Sequence, residues 1–520
     1  MNIISLGFIL FLIAAAVIYY ITPGKVQWVT MLILSIVFYC LAATPYTILF
    51  LLFSAVTAYV TGLVLADPKN GDPLNGFNKK AASAAAIAII LNVGIWFLMK
   101  GSAYWIQLSA WLHARASVIP AMKAVPIAAA FGMGYYTCQT IGYIVDCSWG
   151  TTKPEKNFFK LFLFLSFFPQ LTTGPISRHE ALAPQFYKGV AFSIDNIERG
   201  AQRILWGFFK KLVIAERVSV IVNAVYGNPA SFTGLWTWIG ALLYPIQIYA
   251  DFSGSVDVVI GAAEIFGITL PENFNNPFFS QSSQEFWQRW HISLGSWAKD
   301  YIMYPVLKSK RVVALTKSVK KKFGKRASKL TSLGIGMFCT WFVMGVWHGN
   351  YKFIVGCSIW YWFVMLMYEV LSPFLSKVNA VLHIKEDSFS WVLFRRVRTY
   401  VIYAFSMVFF RADGISEAIV MIKRMFNAFS PSVINLWIFT DGSLYKAGLT
   451  KFDFTIILVS VIVLMIAAVL RENYGYARNW IAEQGLVFRW FIWIALFACV
   501  IVYGEYGPGY HSADFIYAGF

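Results

Sequence analysis

The chain has 520 residues, of which 58% are hydrophobic, 18% are aromatic and 13% are charged. Ordinary soluble domains carry roughly 25% charged residues, so this composition excludes a soluble globular protein and predicts a membrane protein. The net charge is +18, and the densest cluster of basic residues lies at 308–329. We expect these charges to contact membrane lipid and not nucleic acid.

Apolar segments that could cross a bilayer recur along the whole chain. A membrane-spanning helix needs about 20 mostly apolar residues. The candidate segments are 3–21, 27–42, 46–66, 83–100, 117–145, 157–172, 204–225, 233–262, 331–347, 353–371, 392–411, 454–470 and 488–503. The pattern therefore predicts an all-α polytopic protein with about a dozen spans.

The N-terminal region, residues 1–125, is predicted to contain the first transmembrane helices. It begins at an apolar stretch without a basic region or a small-residue cleavage site, so we expect a retained helix rather than a signal peptide. Lysines follow the first and third segments, whereas the connection at 43–45 carries no charge. By the positive-inside rule, the N-terminus faces outward and these lysines face the cytoplasm.

Residues 242–306 combine apolar sequence with ionisable side chains. Asp251, Asp257 and Glu264 lie within an otherwise apolar stretch, and ionisable groups there normally face a bundle interior or a water-filled cavity. On a helix, Ser253 shares one stripe with Asp257 and Glu264. A hydrogen-bonded network that joins helices and a functional site both remain open for them. The amide-rich segment 271–277, which includes Asn275, cannot face lipid as irregular backbone, so we expect a re-entrant segment.

From Glu285 onward the apolar spacing predicts one amphipathic helix, with His291 next to Trp290. It is followed by a block at 308–329 with ten Lys or Arg residues and no acid. This block is predicted to be cytoplasmic, where it would fix topology and attract anionic lipid. A second role is the docking of an anionic acyl donor, for which the candidates are Lys320, Lys321, Lys322 and Arg326.

His348 lies near the end of an uncharged run, residues 330–351, which is bounded by Lys329 and Lys352. Gly345 and Gly349 flank it, which allows the backbone to bend and leaves room for a substrate. A neutral imidazole with a pKa near 6.5 can accept a proton from a hydroxyl at neutral pH. The spacing alone leaves a general base and a structural histidine equally open.

Four strings, "YADFSGSVDVVIGAAEIFGITLPENFNNPF", "SSQEFWQRWHISLGSWAKDYIMYP", "VMGVWHGN" and "FFPQLTTGPISR", resemble the membrane-bound O-acyltransferase (MBOAT) family. The resemblance is to the bacterial branch that includes the alginate O-acetyltransferase membrane subunit and the D-alanyl-lipoteichoic acid transferase. It implies a ring of about 11–13 transmembrane helices, with re-entrant or interfacial helices around a thin core. Residues 126–420 would form the catalytic core, and residues 421–520 further C-terminal helices.

The resemblance also implies site residues. The histidine of the W-H-G motif carries over to His348 as the catalytic residue, and that of the R-W-H-I-S motif to His291, in donor positioning or tunnel lining. The remaining candidates for substrate contacts are Trp287, Trp290, Trp347, Asp251, Ser253 and Asn275. No metal and no tightly bound cofactor are expected.

The implied function is transfer of an acyl group, acetyl by preference, from a cytoplasmic thioester such as acetyl-CoA to an extracytoplasmic acceptor. The protein would lie in the bacterial cytoplasmic membrane and serve exopolysaccharide or cell-envelope O-acetylation, with a separate extracytoplasmic acyltransferase as partner. Two alternatives stay open: D-alanyl or other acyl transfer from an acyl carrier protein, and a transporter or flippase. An acyl-histidine route also remains open beside general-base catalysis.

Overall fold

The computed structural model describes residues 1–74, 76–99, 102–115, 131–171, 173–232, 234–427 and 449–506. Within these ranges the protein is built from helices, with one antiparallel pair of two-residue strands, β1 (Gly71–Asp72) and β2 (Gly76–Phe77). The prediction of an all-α protein is confirmed.

The first helices are α1 (Leu6–Ile21), α2 (Gln27–Ala42), α3 (Ile48–Ala66), α4 (Lys79–Met99), α5 (Ser102–Arg115), α6 (Met133–Trp149), α7 (Phe158–Ser166), α8 (His179–Phe186), α9 (Ile194–Phe208), α10 (Glu216–Gly227) and α11 (Gly234–Ile265). The later helices are α12 (Ser283–Arg289), α13 (Ile292–Ala298), α14 (Tyr304–Lys308), α15 (Lys310–Trp347), α16 (Tyr351–Phe353), α17 (Trp360–Val381), α18 (Phe389–Arg411), α19 (Ile415–Asn427), α20 (Lys451–Tyr474), α21 (Ala477–Ala482) and α22 (Leu486–Tyr503). Three π-helical segments, Phe209–Ala215, Lys299–Met303 and Ile354–Ile359, join neighbouring helices.

Seven helices in the described chain are long and apolar enough to cross a membrane, which makes the protein a multi-pass membrane protein. They are Gly24–Ala42, Pro45–Ala66, Lys79–Met99, Lys310–Trp347, Tyr351–Val381, Phe452–Tyr474 and Leu486–Tyr503, and Leu6–Ile21 is a shorter apolar helix. The segment predicted at 157–172 forms only the short α7, because Pro169 follows closely and disfavours helical backbone before it. Much of the predicted span 117–145 lies outside the described residues.

The chain divides into two compact units. The first contains Met1–Gly207 and Ser255–Glu272. In it α9 and α11 approach at two glycines: a Cβ built on Gly200 would lie 2.5 Å from the carbonyl oxygen of Gly261. The buried Arg203 joins the same two helices, with 2.8 Å between its Nη2 and Oδ1 of Asp257. Small residues at the crossing bring the backbones close enough for this ion pair.

The second unit contains Phe208–Gly254 and the described residues from Asn273 onward. An aromatic cluster lies at its core: the ring of Trp290 is 5.0 Å from that of Phe274 and 5.3 Å from that of Tyr403, centroid to centroid. The domain boundaries predicted after residues 125 and 420 do not coincide with the limits of these two units. They stay a prediction. Both candidate histidines belong to this second unit.

Candidate active site

His348 lies directly after α15 and is 7% exposed. Its ring contacts those of Trp347, Phe353 and Phe410, with centroid distances of 5.1, 5.2 and 5.2 Å. Gly349 follows with a φ of +83°, a left-handed conformation that suits glycine and turns the chain out of the helix. The end of α15 therefore presents the imidazole in an apolar aromatic environment.

The end of α15 is held against the π-helical segment that follows it. The Ser358 hydroxyl donates a 2.6 Å hydrogen bond to the carbonyl oxygen of Trp341. Gly345 makes this contact sterically possible, because a Cβ at that position would overlap Ser358 Oγ and lie 3.0 Å from the carbonyl oxygen of Phe353. Gly345 thus sets the distance between the two segments and, with it, the position of His348.

His291 lies at a break between α12 and α13, with a left-handed φ of +46°. The single amphipathic helix expected from Glu285 onward is therefore wrong. The break has a tertiary cause: Phe274 and Trp290 form an isolated antiparallel bridge, and the Ile292 amide donates to the carbonyl oxygen of Asn273 at 3.0 Å. These contacts with the polar loop compete with helical hydrogen bonds at this point.

The Asn273 side chain fixes the histidine. Its Oδ1 accepts from the amide and the hydroxyl of Ser293 at 3.0 and 2.9 Å and lies 3.2 Å from His291 Nδ1. Asn273 is fully buried and His291 is 3% exposed. Burial lowers the pKa of His291, which lies outside the seven spanning helices, from 6.5 to about 3, and the nearby His348 lowers it further. His291 is therefore neutral at physiological pH.

A cavity of about 820 Å³ lies within the second unit. Trp287, His291, Trp341, Met344 and Arg398 are among its lining residues. Met344 is one helical turn before His348, so the cavity reaches the neighbourhood of both histidines. An acetyl group alone would fill a small part of this volume.

The cavity extends along α15 towards the basic block. Lining residues on this helix run from Lys329 to Met344, which corresponds to about 22 Å at 1.5 Å per residue. At the Lys329 end of the cavity, Lys329 Nζ is 3.6 Å from Glu369 Oε2. Lys299 also lines the cavity. The cavity is thus long and mostly apolar, and its Lys329 end lies where the basic block ends.

The three tryptophans predicted to contact substrate have different positions. Trp287 lines the cavity, 4.7 Å from Trp341 between ring centroids, and its buried indole N–H has no acceptor within the described residues. Trp290 is 1% exposed and belongs to the aromatic core behind the wall. Trp347 contacts the His348 ring. Asn275 is exposed, and its backbone amide donates to the carbonyl oxygen of Arg289 at 2.9 Å.

Asp251 and Ser253 are buried in contact with two lysines that the sequence analysis did not single out. Lys211 forms ion pairs with Asp251 and, at 2.6 Å, with Glu216. Lys210 donates to the Ser253 hydroxyl at 2.8 Å. Both lysines lie in the π-helical segment Phe209–Ala215, and their position inside the apolar run 204–225 was the available signal. A role of Asp251 and Ser253 in substrate binding stays a prediction.

The basic block forms a helical hairpin. Gly324 interrupts α15 with a φ of +85°, and the Ser328 hydroxyl donates to the carbonyl oxygen of Thr316 at 2.8 Å across the two arms. Lys320, Lys321 and Lys322 are exposed near the turn. Arg326 donates to the carbonyl oxygen of Val370 at 2.8 Å. The neighbouring carbonyl of Glu369 lacks a helical hydrogen bond, because Pro373, four residues later, has no backbone N–H.

In the part of the chain that the structure describes, no group of three or more His, Cys, Asp or Glu side chains is arranged to hold a metal ion. The described cysteines form no disulfide.

Comparison with known proteins gives the following similarities. Residues 153–412 match the model of the membrane-bound O-acyltransferase family. The chain is 31% identical over 297 residues to a probable alginate O-acetylase of Pseudomonas aeruginosa, covering 57% of this chain and 51% of that protein. It is 29% identical over 281 residues to a peptidoglycan O-acetyltransferase of Helicobacter pylori, covering 52% and 48%. It is 30% identical over 229 residues to a teichoic acid D-alanyltransferase of Bacillus subtilis, covering 42% and 53%. The chain thus matches about half the length of these relatives.

Proposed function

The chain belongs to the membrane-bound O-acyltransferase family, and we propose that it is a transmembrane O-acyltransferase that passes an acetyl group from a cytoplasmic thioester to an extracytoplasmic hydroxyl. The observation that carries the proposal is the long cavity, which starts at Lys329, the end of the basic block, and reaches His291, close to His348. A thioester donor attached to a long, anionic carrier matches this combination of length and charge.

The length of the cavity supports a donor that enters as an extended arm. Its wall follows α15 for about 22 Å, from Lys329 to Met344. By the positive-inside rule, the basic hairpin and Lys329 face the cytoplasm, in a bacterial cytoplasmic membrane. The thioester then reaches the histidines close to the opposite side of the membrane, where an acceptor hydroxyl arrives from outside.

In the proposed step, His348 accepts the proton of the acceptor hydroxyl while the hydroxyl oxygen attacks the carbonyl carbon of the thioester. A C–O bond forms and the C–S bond breaks, and the proton is returned from His348 to the leaving thiolate. The aromatic surroundings of His348 exclude water that would otherwise hydrolyse the donor. The buried N–H of Trp287 is a hydrogen-bond donor available to the carbonyl oxygen of the thioester.

His291 is assigned a different role in this mechanism. Because burial keeps it neutral and Asn273 fixes its ring, it orients the donor at the cavity wall rather than exchanging protons with solvent. The two histidines are therefore expected to show different defects when they are substituted. Loss of His348 slows the chemical step, whereas loss of His291 weakens the use of the donor.

Acetyl transfer towards an exopolysaccharide or wall polymer is the preferred reaction, with a separate extracytoplasmic acyltransferase as the partner that receives the group. The named relatives act on alginate, peptidoglycan and teichoic acid, which supports a polymer of the cell envelope as the final acceptor. The D-alanyltransferase among them supports the second candidate, transfer from an acyl carrier protein that docks on the basic hairpin.

The test is thiol release and label transfer from radiolabelled acetyl-CoA by the purified protein in lipid nanodiscs. His348→Ala is expected to lower kcat by about 100-fold or more, the range for a lost general base. The exposed His113→Ala is the matched control and should behave as wild type. Equal turnover by wild type and His348→Ala would contradict the assignment of the base.

Two further arms separate the candidates. If wild type ignores acetyl-CoA but uses an acylated carrier protein, and Lys→Glu changes at Lys320, Lys321 and Lys322 abolish that activity, the carrier-dependent reaction replaces acetyl transfer from coenzyme A. Label retained on the protein without acceptor, and absent in His348→Ala, would favour an acyl-histidine intermediate.

A further inference from the structure

The C-terminal helix α20 contacts the polar loop that holds His291. Glu472, in the last turn of α20, accepts hydrogen bonds on Oε1 from Arg289 Nη1 at 2.6 Å and from Asn276 Nδ2 at 2.9 Å. The amide nitrogen of Asn276 also donates to the carbonyl oxygen of Ala468, one turn earlier, at 2.9 Å. One carboxylate therefore connects α20 to the loop and to the end of α12.

The loop and α12 are in turn joined to each other. The Asn275 amide donates to the carbonyl oxygen of Arg289 at 2.9 Å, and Arg289 Nη1 lies 3.4 Å from the carbonyl oxygen of Asn275. Asn276 is 5% exposed and has a left-handed φ of +46°. Asparagine is one of the few residues besides glycine that adopt this conformation readily, and here its side-chain amide is bound by two acceptors on α20.

Both branches from Glu472 lead to His291 within a few residues. Arg289 precedes the histidine by two positions. Asn276 follows Asn273 by three positions, and Asn273 Oδ1 lies 3.2 Å from His291 Nδ1. The distance between Glu472 and the histidine is thus bridged by short hydrogen bonds and a few covalently linked residues.

The position of Glu472 also needs an explanation from electrostatics. The C-terminal end of a helix carries a partial negative charge, so a carboxylate there is unfavourable without a compensating cation. Arg289 supplies that cation and also pairs with Glu285 at 3.0 Å. An isolated α20 would be better served by a neutral or basic residue at position 472.

We infer that Glu472 is a positioning residue for acyl transfer, which acts through Arg289 and Asn276 to hold the His291 loop at the cavity wall. This inference rests on the proposed function for its kinetic consequence, whereas its structural consequence does not depend on it. It makes α20 part of the machinery of the reaction, although the helix lies more than 150 residues beyond His291 in sequence.

The test compares Glu472→Gln with Asp453→Asn in the full-length protein in nanodiscs. Asp453, at the start of the same helix, accepts from Arg217 Nε at 3.1 Å and so forms a similar ion pair. It has no contact with the His291 loop in the described chain. Hydrogen–deuterium exchange of residues 273–276 and 289–293 is measured for each variant, together with kcat and KM for acetyl-CoA.

Glu472→Gln is expected to speed exchange in these two segments and to lower kcat/KM by about 10- to 100-fold, the scale of a misplacement of about 1 Å. Asp453→Asn should leave exchange in these segments unchanged. Glu472→Asp, which keeps a carboxylate facing Arg289 and Asn276, should lose less than Glu472→Gln in both measurements.

Equal effects of Glu472→Gln and Asp453→Asn on exchange would overturn the inference, since they would indicate general anchoring of α20. Unchanged exchange in Glu472→Gln would also overturn it. If wild type shows no turnover with any thioester, the proposed function fails and the exchange comparison alone decides the role of Glu472.

Discussion

The contact between Gly345 and Ser358 offers the sharpest prediction. In Gly345→Ala, the new methyl group would overlap Ser358 Oγ and lie 3.0 Å from the carbonyl oxygen of Phe353. The two segments must then separate by about 1 Å, and overpacking of this kind costs about 1–3 kcal/mol. His348 is three residues further along the same backbone, and an error of about 1 Å in its position is expected to lower kcat by about 100-fold.

Gly334 on the same helix is the matched control. It is also buried, but a Cβ there would meet only the methyl groups of Leu366, at 3.6 Å. Both substitutions gain the same helix propensity, about 1 kcal/mol for Gly to Ala, so the propensity term cancels in the comparison. The difference between the two variants therefore measures the steric term at Gly345.

The assay is the thermal unfolding midpoint in nanodiscs together with acetyl-CoA turnover. We expect Gly334→Ala to be as stable as wild type or more so, and fully active, while Gly345→Ala loses both stability and turnover. Adding Ser358→Ala to Gly345→Ala removes the overlapping hydroxyl and should restore part of the turnover, despite the lost hydrogen bond to Trp341. Identical behaviour of Gly345→Ala and Gly334→Ala would refute the reasoning.

Three further predictions follow from the buried polar groups. Lys211→Met leaves the carboxylate of Asp251 without this buried cation and should cost about 3–5 kcal/mol, seen as a lower unfolding midpoint; an unchanged midpoint would contradict it. Unfolded His291 binds a proton below about pH 6.5, whereas the folded residue does so only near pH 3, so its contribution to stability is lost as the pH falls. Between pH 7 and 5 the midpoint should drop, with a smaller drop in His291→Gln. Asn273→Ala removes the acceptor shared by His291 and Ser293 and should lower kcat/KM for the donor by about 10-fold or more, with Asn273→Asp retaining part of it.

The parts of the site that the sequence predicts are those with a local signal. His348 is recognisable because a histidine flanked by glycines is unusual in an uncharged run, and it does lie at the end of a long helix against aromatic rings. The irregular backbone of 271–277 is likewise predictable, since prolines and amides there break a helical pattern; its re-entrant placement stays a prediction. For both features the physical cause lies within a few residues of the feature itself.

Other features depend on partners that are distant in sequence. The helical spacing continues unbroken through His291, yet the helix ends there because the backbone and side chain of Asn273 take its hydrogen bonds. The lysine partners of Asp251 and Ser253 lie about 40 residues earlier in the chain. Periodicity reports which face of a helix is apolar, but it carries no information about which buried charge a side chain meets.

The two ion pairs of α20 fix a polar group near each end of this helix. Asp453 and Glu472, at the two ends of the helix, are separated by about 28 Å at 1.5 Å per residue, close to the roughly 30 Å thickness of a bilayer's hydrocarbon core. In a thicker bilayer one polar end would be drawn towards the hydrocarbon, and in a thinner one apolar residues would meet water. Since the Glu472 end of α20 contacts the His291 loop, a bilayer of unsuitable thickness would displace this loop. The rate of turnover is therefore expected to depend on lipid chain length.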